Sequence, residues 1–176
     1  MTTWNPDQYL RFAAERARPF DDLLARVVAA LPGPVAQIVD LGCGPGNMTA
    51  VLAERFPTAR VRGIDSSPDM IAAAQRYAGP RVSFAVGDLR EWQPAEPVDL
   101  IISNAVLQWV PRHTELFEGW LTTLRPGGVL AFQMPVPSST EPIRMVAKRP
   151  QWTVRLAGPL GSVGPRGANP VHHLET

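Results

Sequence analysis

The residues best placed to do chemistry in this 176-residue chain start at Asp40-Leu41-Gly42-Cys43-Gly44-Pro45-Gly46. This stretch directly follows a short apolar run, Ala36–Leu41, and directly precedes a helical pattern over Met48–Phe56. Glycines at such a turn let the backbone come close to a ligand and adopt conformations closed to other residues. Open α/β sheets bind ligands at the carboxyl ends of their strands, which raises the turn above an ordinary turn. Its spacing is G-x-G-x-G, not the G-x-G-x-x-G of dinucleotide folds. Asp65 closes a second apolar run, 19 residues after Gly46. There it can accept both hydroxyls of a ribose, or serve the helix that starts near Ser67; beside the glycine turn, the ribose role is preferred. Asp88, in Gly87-Asp88-Leu89, follows a third run. It can accept the exocyclic amine of adenine with Leu89 against the ring, or be a plain turn aspartate. Asp40, Asp65, Asp88 and Ser103-Asn104 thus end four successive strand patterns.

The elements that must position these residues alternate. Strands are expected over Ala36–Leu41, Arg60–Ile64, Val82–Val86, Val98–Ser103 and Val129–Met134, the last after Pro126-Gly127-Gly128. Helices are expected over Met48–Phe56, from Ser67 as cap with Pro68 at the first position to about Tyr77, and over Thr114–Leu124. Such alternation predicts an α/β fold with a mostly parallel sheet. Ahead of it, Phe20, Leu23, Leu24, Val27, Val28 and Leu31 fall at helical spacing, with Pro19 suited to the first position, and Asp7–Arg16 reads as a further short helix. After Met134 the pattern degrades: a helix broken at Pro150 is expected in Glu141–Ala157, and Gly158–Thr176 is too poor in apolar residues to order itself.

Val39–Gly46, Asp65, Gly87-Asp88-Leu89 and Leu124-Arg125-Pro126-Gly127-Gly128 together resemble the class I S-adenosylmethionine-dependent methyltransferases, with their Rossmann-like sheet. Within that family, Trp4-Asn5-Pro6-Asp7-Gln8-Tyr9-Leu10, Asn104–Trp109 and Gln133-Met134-Pro135 are similar to the trans-aconitate methyltransferases. The resemblance implies S-adenosylmethionine as cofactor and a small-molecule polycarboxylate as acceptor, esterified on one carboxylate. It places Asp40, Gly42, Cys43, Gly44 and Gly46 under the methionine part and Asp65 with Ser66 at the ribose. Asp88 and Leu89 fall at the adenine, and the backbone of Asn104 and Ala105 near the methyl donor. Trp4 and Tyr9 fall on an amino-terminal lid; for Trp109 plain packing is preferred. No side chain is assigned as catalytic, because a carboxylate is already ionised at neutral pH. Arg11, Arg16, Arg18, Arg112 and Arg144 are the candidate cations for the acceptor, without a choice among them. The domains read as a lid over 1–34, a core over 35–135 and a shortened, partly disordered segment over 136–176. The family's closing antiparallel hairpin is expected to be missing.

Composition narrows the classes further. Hydrophobic residues make up 45% and charged residues 19%, as in a globular domain. A formal net charge of +1 argues against a sequence-independent grip on nucleic acid. No apolar run is long enough for a membrane span, and no signal-peptide pattern is present, so a cytoplasmic monomer is the expectation. Cys43 is the single cysteine, which excludes an internal disulfide and a cysteine-rich metal site; it reads as a packed thiol. The alternatives kept open are another small-metabolite methyltransferase, an inactive cofactor-binding fragment, and a nicotinamide-dependent oxidoreductase, which the glycine spacing disfavours.

Overall fold

A computed structural model describes residues 13–134, 155–157 and 171–173. Helix α1 (Ala13–Ala30) leads into strand β1 (Gln37–Leu41), helix α2 (Asn47–Arg55) and strand β2 (Arg60–Asp65). Helix α3 (Pro68–Ala74) continues as a 3-10 turn to Tyr77, followed by β3 (Val82–Val86) and β4 (Val98–Asn104). Two 3-10 turns, Leu107–Trp109 and His113–Glu115, precede α4 (Leu116–Thr122) and β5 (Leu124–Gln133). The five strands form one sheet in the order β3-β2-β1-β4-β5, parallel at every pairing. This is the expected Rossmann-like α/β architecture.

Central strands buried on both faces need continuous apolar runs, and Ile38–Leu41 and Leu100–Ile102 supply them around Asp40. One face packs Ile38, Leu100, Ile102 and Ala131 against Phe20, Leu23, Leu24 and Val27 of α1 and Leu52 and Ala53 of α2. The other packs Val39, Leu41, Ile64 and Ile101 against Phe117 and Trp120 of α4, with Trp92 and Met134. At the amino edge of the sheet, Asp99 Oδ2 accepts from the backbone N–H of Ala36 and of Gln37, both at 2.8 Å, and Arg125 approaches it at 3.3 Å. This clamp sets the register of β1 on β4.

Several expectations need correction. Pro19 lies inside α1, which starts at Ala13. The missing N–H and ring clash cost about 3 kcal/mol or more, and burial of four large apolar side chains just beyond offsets this. The helix expected over Thr114–Leu124 is shorter, because Leu124 already pairs with Val98 and β5 begins there. The Pro126-Gly127-Gly128 segment is taken up as an irregularity between Val98 and Leu100. The helix expected to reach Ala157 gives way at its end to β6 (Arg155–Ala157), which pairs antiparallel with β7 (Val171–His173). Strand pairing draws on backbone hydrogen bonds, which an estimate from apolar content misses. This pair forms its own two-stranded sheet, and β5 is an edge of the larger sheet among the described residues. Residues 1–12 and 135–154 lie outside the described residues, and with them Trp4, Tyr9, Arg11, Arg144 and the rest of the Glu141–Ala157 helix.

Candidate functional site

The register fixes what shares an edge. Leu41 lies opposite Ile64, Asp65 opposite Val86, and Asp40 opposite Ile102. The ends carrying the glycine turn, Asp65, Asp88 and Asn104 therefore meet at one carboxyl edge, as their spacing predicted. The turn docks on β2: the N–H groups of Gly42 and Cys43 both donate to Ile64 O, at 2.7 and 3.0 Å. Gly42, Gly44 and Gly46 have φ of 78°, 55° and 80°. Their reasons differ. A Cβ at Gly42 would lie 2.3 Å from Val106, and one at Gly46 would lie 2.8 Å from Ala74. Those two glycines let protein approach protein. Cys43 is buried, with its Sγ in the space left by Gly63, and burial pushes its thiol pKa up. It is packed as expected.

The acids are held in distinct ways. Asp65, half-buried, accepts from the N–H of Gly44 through Oδ2 and from the N–H of Ser67 through Oδ1, both at 2.9 Å. One carboxylate thus ties the turn to the start of α3. It keeps spare lone pairs, since a carboxylate offers about four acceptor positions. Ser66 beside it is exposed, and Ser67 caps α3 by accepting from Met70 N–H at 3.3 Å. Asp40 is 3% exposed and accepts the Thr49 hydroxyl at 2.6 Å. Burial raises its pKa from 3.8 to about 7; the Thr49 bond opposes this and the nearby Asp65 adds to it. Asp40 therefore stands at the base of the turn. Asp88 is forked by Arg90, whose Nε lies 2.9 Å from both oxygens and whose Nη2 also donates. That bond holds its carboxyl below the usual carboxylate range. Leu89 beside it is buried.

The segment after β4 closes the edge on the other side. Ser103 donates to Leu41 O at 2.8 Å, Ala105 N–H to Gln133 O at 2.7 Å, and Gln108 Nε2 to Ala105 O at 2.8 Å. Ala105 is thereby held at φ 55°. Trp109 is 65% exposed. Sequence reasoning places Ser103 at this edge but misses Thr49 and Gln108. Each of the two leaves a trace: a hydroxyl on the inner face of a helix, and an amide between two apolar residues.

The chemistry of these groups can be set against the expected cofactor. Among the described residues, the buried amide oxygens of Asn47, Asn104 and Gln108 have no hydrogen-bond partner. Asn47 follows the glycine turn, and the other two belong to the segment packed on Gly42. Such acceptors, together with Asp65 and Asp88, fit a ligand rich in N–H and O–H donors, as an adenosyl amino acid is. Among the described residues no group of three or more His, Cys, Asp or Glu could hold a metal ion.

Comparison with known proteins agrees with this geometry. Residues 38–128 match the family model described as a methyltransferase domain. Trans-aconitate 2-methyltransferase of Streptomyces coelicolor is 53% identical over 167 residues, covering 90% of this chain and 54% of that protein. The Escherichia coli protein of the same name is 51% identical over 152 residues, covering 86% and 58%. The solved N-methyltransferase NodS from Bradyrhizobium japonicum, in complex with S-adenosyl-L-homocysteine, superposes with a TM-score of 0.57 at 28% identity, covering 66% of this chain and 60% of that one. The chain thus spans a little over half the length of the curated relatives named here.

Proposed function

The chain belongs to the methyltransferase-domain family, and we propose that it binds S-adenosylmethionine along the carboxyl edge of its sheet and methylates a carboxylate of trans-aconitate. The observation that supports the cofactor half most directly is the meeting of the positive-φ glycine turn with Asp65 at that edge. When bound, S-adenosylmethionine would supply a sulfonium-activated methyl group to an acceptor carboxylate oxygen, with S-adenosylhomocysteine as the leaving group. In this reading the turn from Gly42 to Gly46, with Cys43 packed beneath it, lies under the methionine part, and Asp40 braces it through Thr49. Asp65 with Ser66 takes the ribose hydroxyls. Asp88 with Leu89 takes the adenine once Arg90 shares the carboxylate, and the backbone of Asn104 and Ala105 lines the methyl group. No side chain is needed as base, because the acceptor is ionised at neutral pH. Orientation of acceptor against donor then carries most of the rate. The acceptor is taken from the two relatives' names, and the fold is read as acting as a monomer in the cytoplasm. Among the described residues no helix is long and apolar enough to cross a membrane.

Two measurements test this. Asp65→Ala is expected to weaken S-adenosylmethionine binding by roughly 1–3 kcal/mol, about 5- to 150-fold, through lost charge-assisted bonds to two hydroxyls. It also releases the N–H groups of Gly44 and Ser67. Unchanged affinity by titration calorimetry removes the ribose role. For the acceptor, transfer of labelled methyl to trans-aconitate is compared with a panel of other small carboxylates and amines. Preference for trans-aconitate supports the reading; preference for another acceptor replaces it; cofactor binding without any transfer makes the chain an inactive binding fragment.

A further inference from the structure

We propose that Arg112 is the carboxylate-recognising residue of the acceptor site, held ready by Glu115 until an acceptor carboxylate takes its place. The inference rests on the acceptor being a polycarboxylate, as proposed above. Among the described residues only two non-glycine residues have positive φ, Ala105 at 55° and Arg112 at 57°, and both lie in the segment between β4 and α4. A left-handed backbone costs free energy in a side-chain-bearing residue, and such costs gather where a site must be shaped. At Arg112 the side chain makes a fork: Nε donates to Glu115 Oε1 at 2.8 Å and Nη2 to Oε2 at 2.5 Å. Both partners are well exposed, at 79% and 58% of the side chain. An exposed pair of this kind adds little stability, so the pairing itself does not account for a strained backbone. What it does provide is a guanidinium already presented to a carboxylate in the two-bonded geometry.

The position also fits an acceptor. The His113 ring lies 5.9 Å from Phe117, and Phe117 stacks on Phe132 at 4.9 Å. Phe132 is opposite Ser103, near the carboxyl end of β5. Arg112 therefore stands on the β4–β5 side of the glycine turn, whereas Asp65 and Asp88 stand on the β2–β3 side. Three other described guanidiniums are engaged elsewhere. Arg90 forks Asp88 on the β3 side, Arg125 meets Asp99 at the amino edge, and Arg81 donates to the carbonyls of Ala53, Phe56 and Ala59.

The test is calorimetric titration of trans-aconitate into the chain saturated with S-adenosylhomocysteine, which permits no turnover. Arg112→Gln is expected to weaken trans-aconitate binding roughly tenfold, the scale of one charged bidentate contact. Glu115→Gln is expected to tighten it about threefold, because it removes the competing carboxylate. The double variant is expected to match Arg112→Gln, since Glu115 acts only through Arg112. Affinity for S-adenosylhomocysteine stays unchanged throughout, and the uncharged trimethyl ester of aconitate does not distinguish the variants. If both single variants weaken binding, the pair is only a brace and the proposal is overturned. Equal binding by Arg112→Gln, or no trans-aconitate binding by the unaltered saturated chain, overturns it as well. Failure of the unaltered chain to bind S-adenosylhomocysteine is a different result, because it removes the cofactor reading itself.

Discussion

Gly44→Val is expected to abolish measurable S-adenosylmethionine binding while the sheet stays folded. Gly44 is buried in the turn at φ 55° and donates its N–H to Asp65. A β-branched residue there meets a backbone penalty of roughly 1–2 kcal/mol, and the turn relieves it by moving. Any such movement breaks the bond that aligns Asp65 with the turn, and the new side chain adds bulk where the ligand is expected. Gly42 and Gly46 make poorer tests, because a side chain at either would strike Val106 or Ala74 and damage packing directly. The core clusters on the two faces of the sheet hold the fold without the turn. Circular dichroism should therefore show an intact fold in the same preparation whose titration with S-adenosylmethionine is flat. Retained binding would make the turn purely structural.

The second large effect concerns Asp40, and its sign is opposite to that of most paired carboxylates. Its pKa is raised from 3.8 to about 7 by burial, so the folded chain holds this proton more tightly than the unfolded one. Stability due to that proton is complete below pH 3.8 and is lost as pH rises to about 7. The free energy tied to that proton is at most about 4 kcal/mol, from the conversion of a pKa difference to an energy. Asp40→Asn retains an oxygen for the Thr49 hydroxyl and removes the titration. Urea unfolding should find variant and parent close in stability near pH 4, with the variant pulling ahead up to pH 8. A constant difference across that range would mean that Asp40 does not titrate between them.

The parts of this fold legible in the sequence were those set by neighbouring residues. Ser67 and Pro68 start α3 through a local cap, and the acids at the ends of β1, β2 and β3 follow from short apolar runs with one exit each. The glycine turn was legible as a turn, but not the reason for each glycine. Gly42 is small because Val106 sits on it, and those residues are 64 positions apart in sequence. Arg90 on Asp88 is a choice of side-chain rotamer, which spacing does not fix. Pro19 misled because its own preference was outweighed by the burial of Phe20, Leu23, Leu24 and Val27 beside it. The start of β5 misled because Pro126-Gly127-Gly128 ordinarily ends a strand, and here the ladder absorbs it. Arg112 could be named as a cation from sequence; its strained backbone and its fork on Glu115 could not.

The strand order has a consequence for the ribosome. β1 takes its first neighbour, β2, after a short helix, but its other neighbour is β4, and Ile38 and Leu100 are 62 residues apart. At about 5–20 residues per second, a growing chain needs roughly 3–12 s to make that stretch. Throughout this interval β1, four of whose five residues are buried in the folded chain, has one open side, with unpaired N–H and C=O groups facing whatever else is nascent nearby. Arrival of β4 seals it, and among the described residues β5 then forms the edge on that side. A translational pause between residues 65 and 98 prolongs the exposed state, whereas a pause after residue 104 falls on a sheet whose middle is already closed.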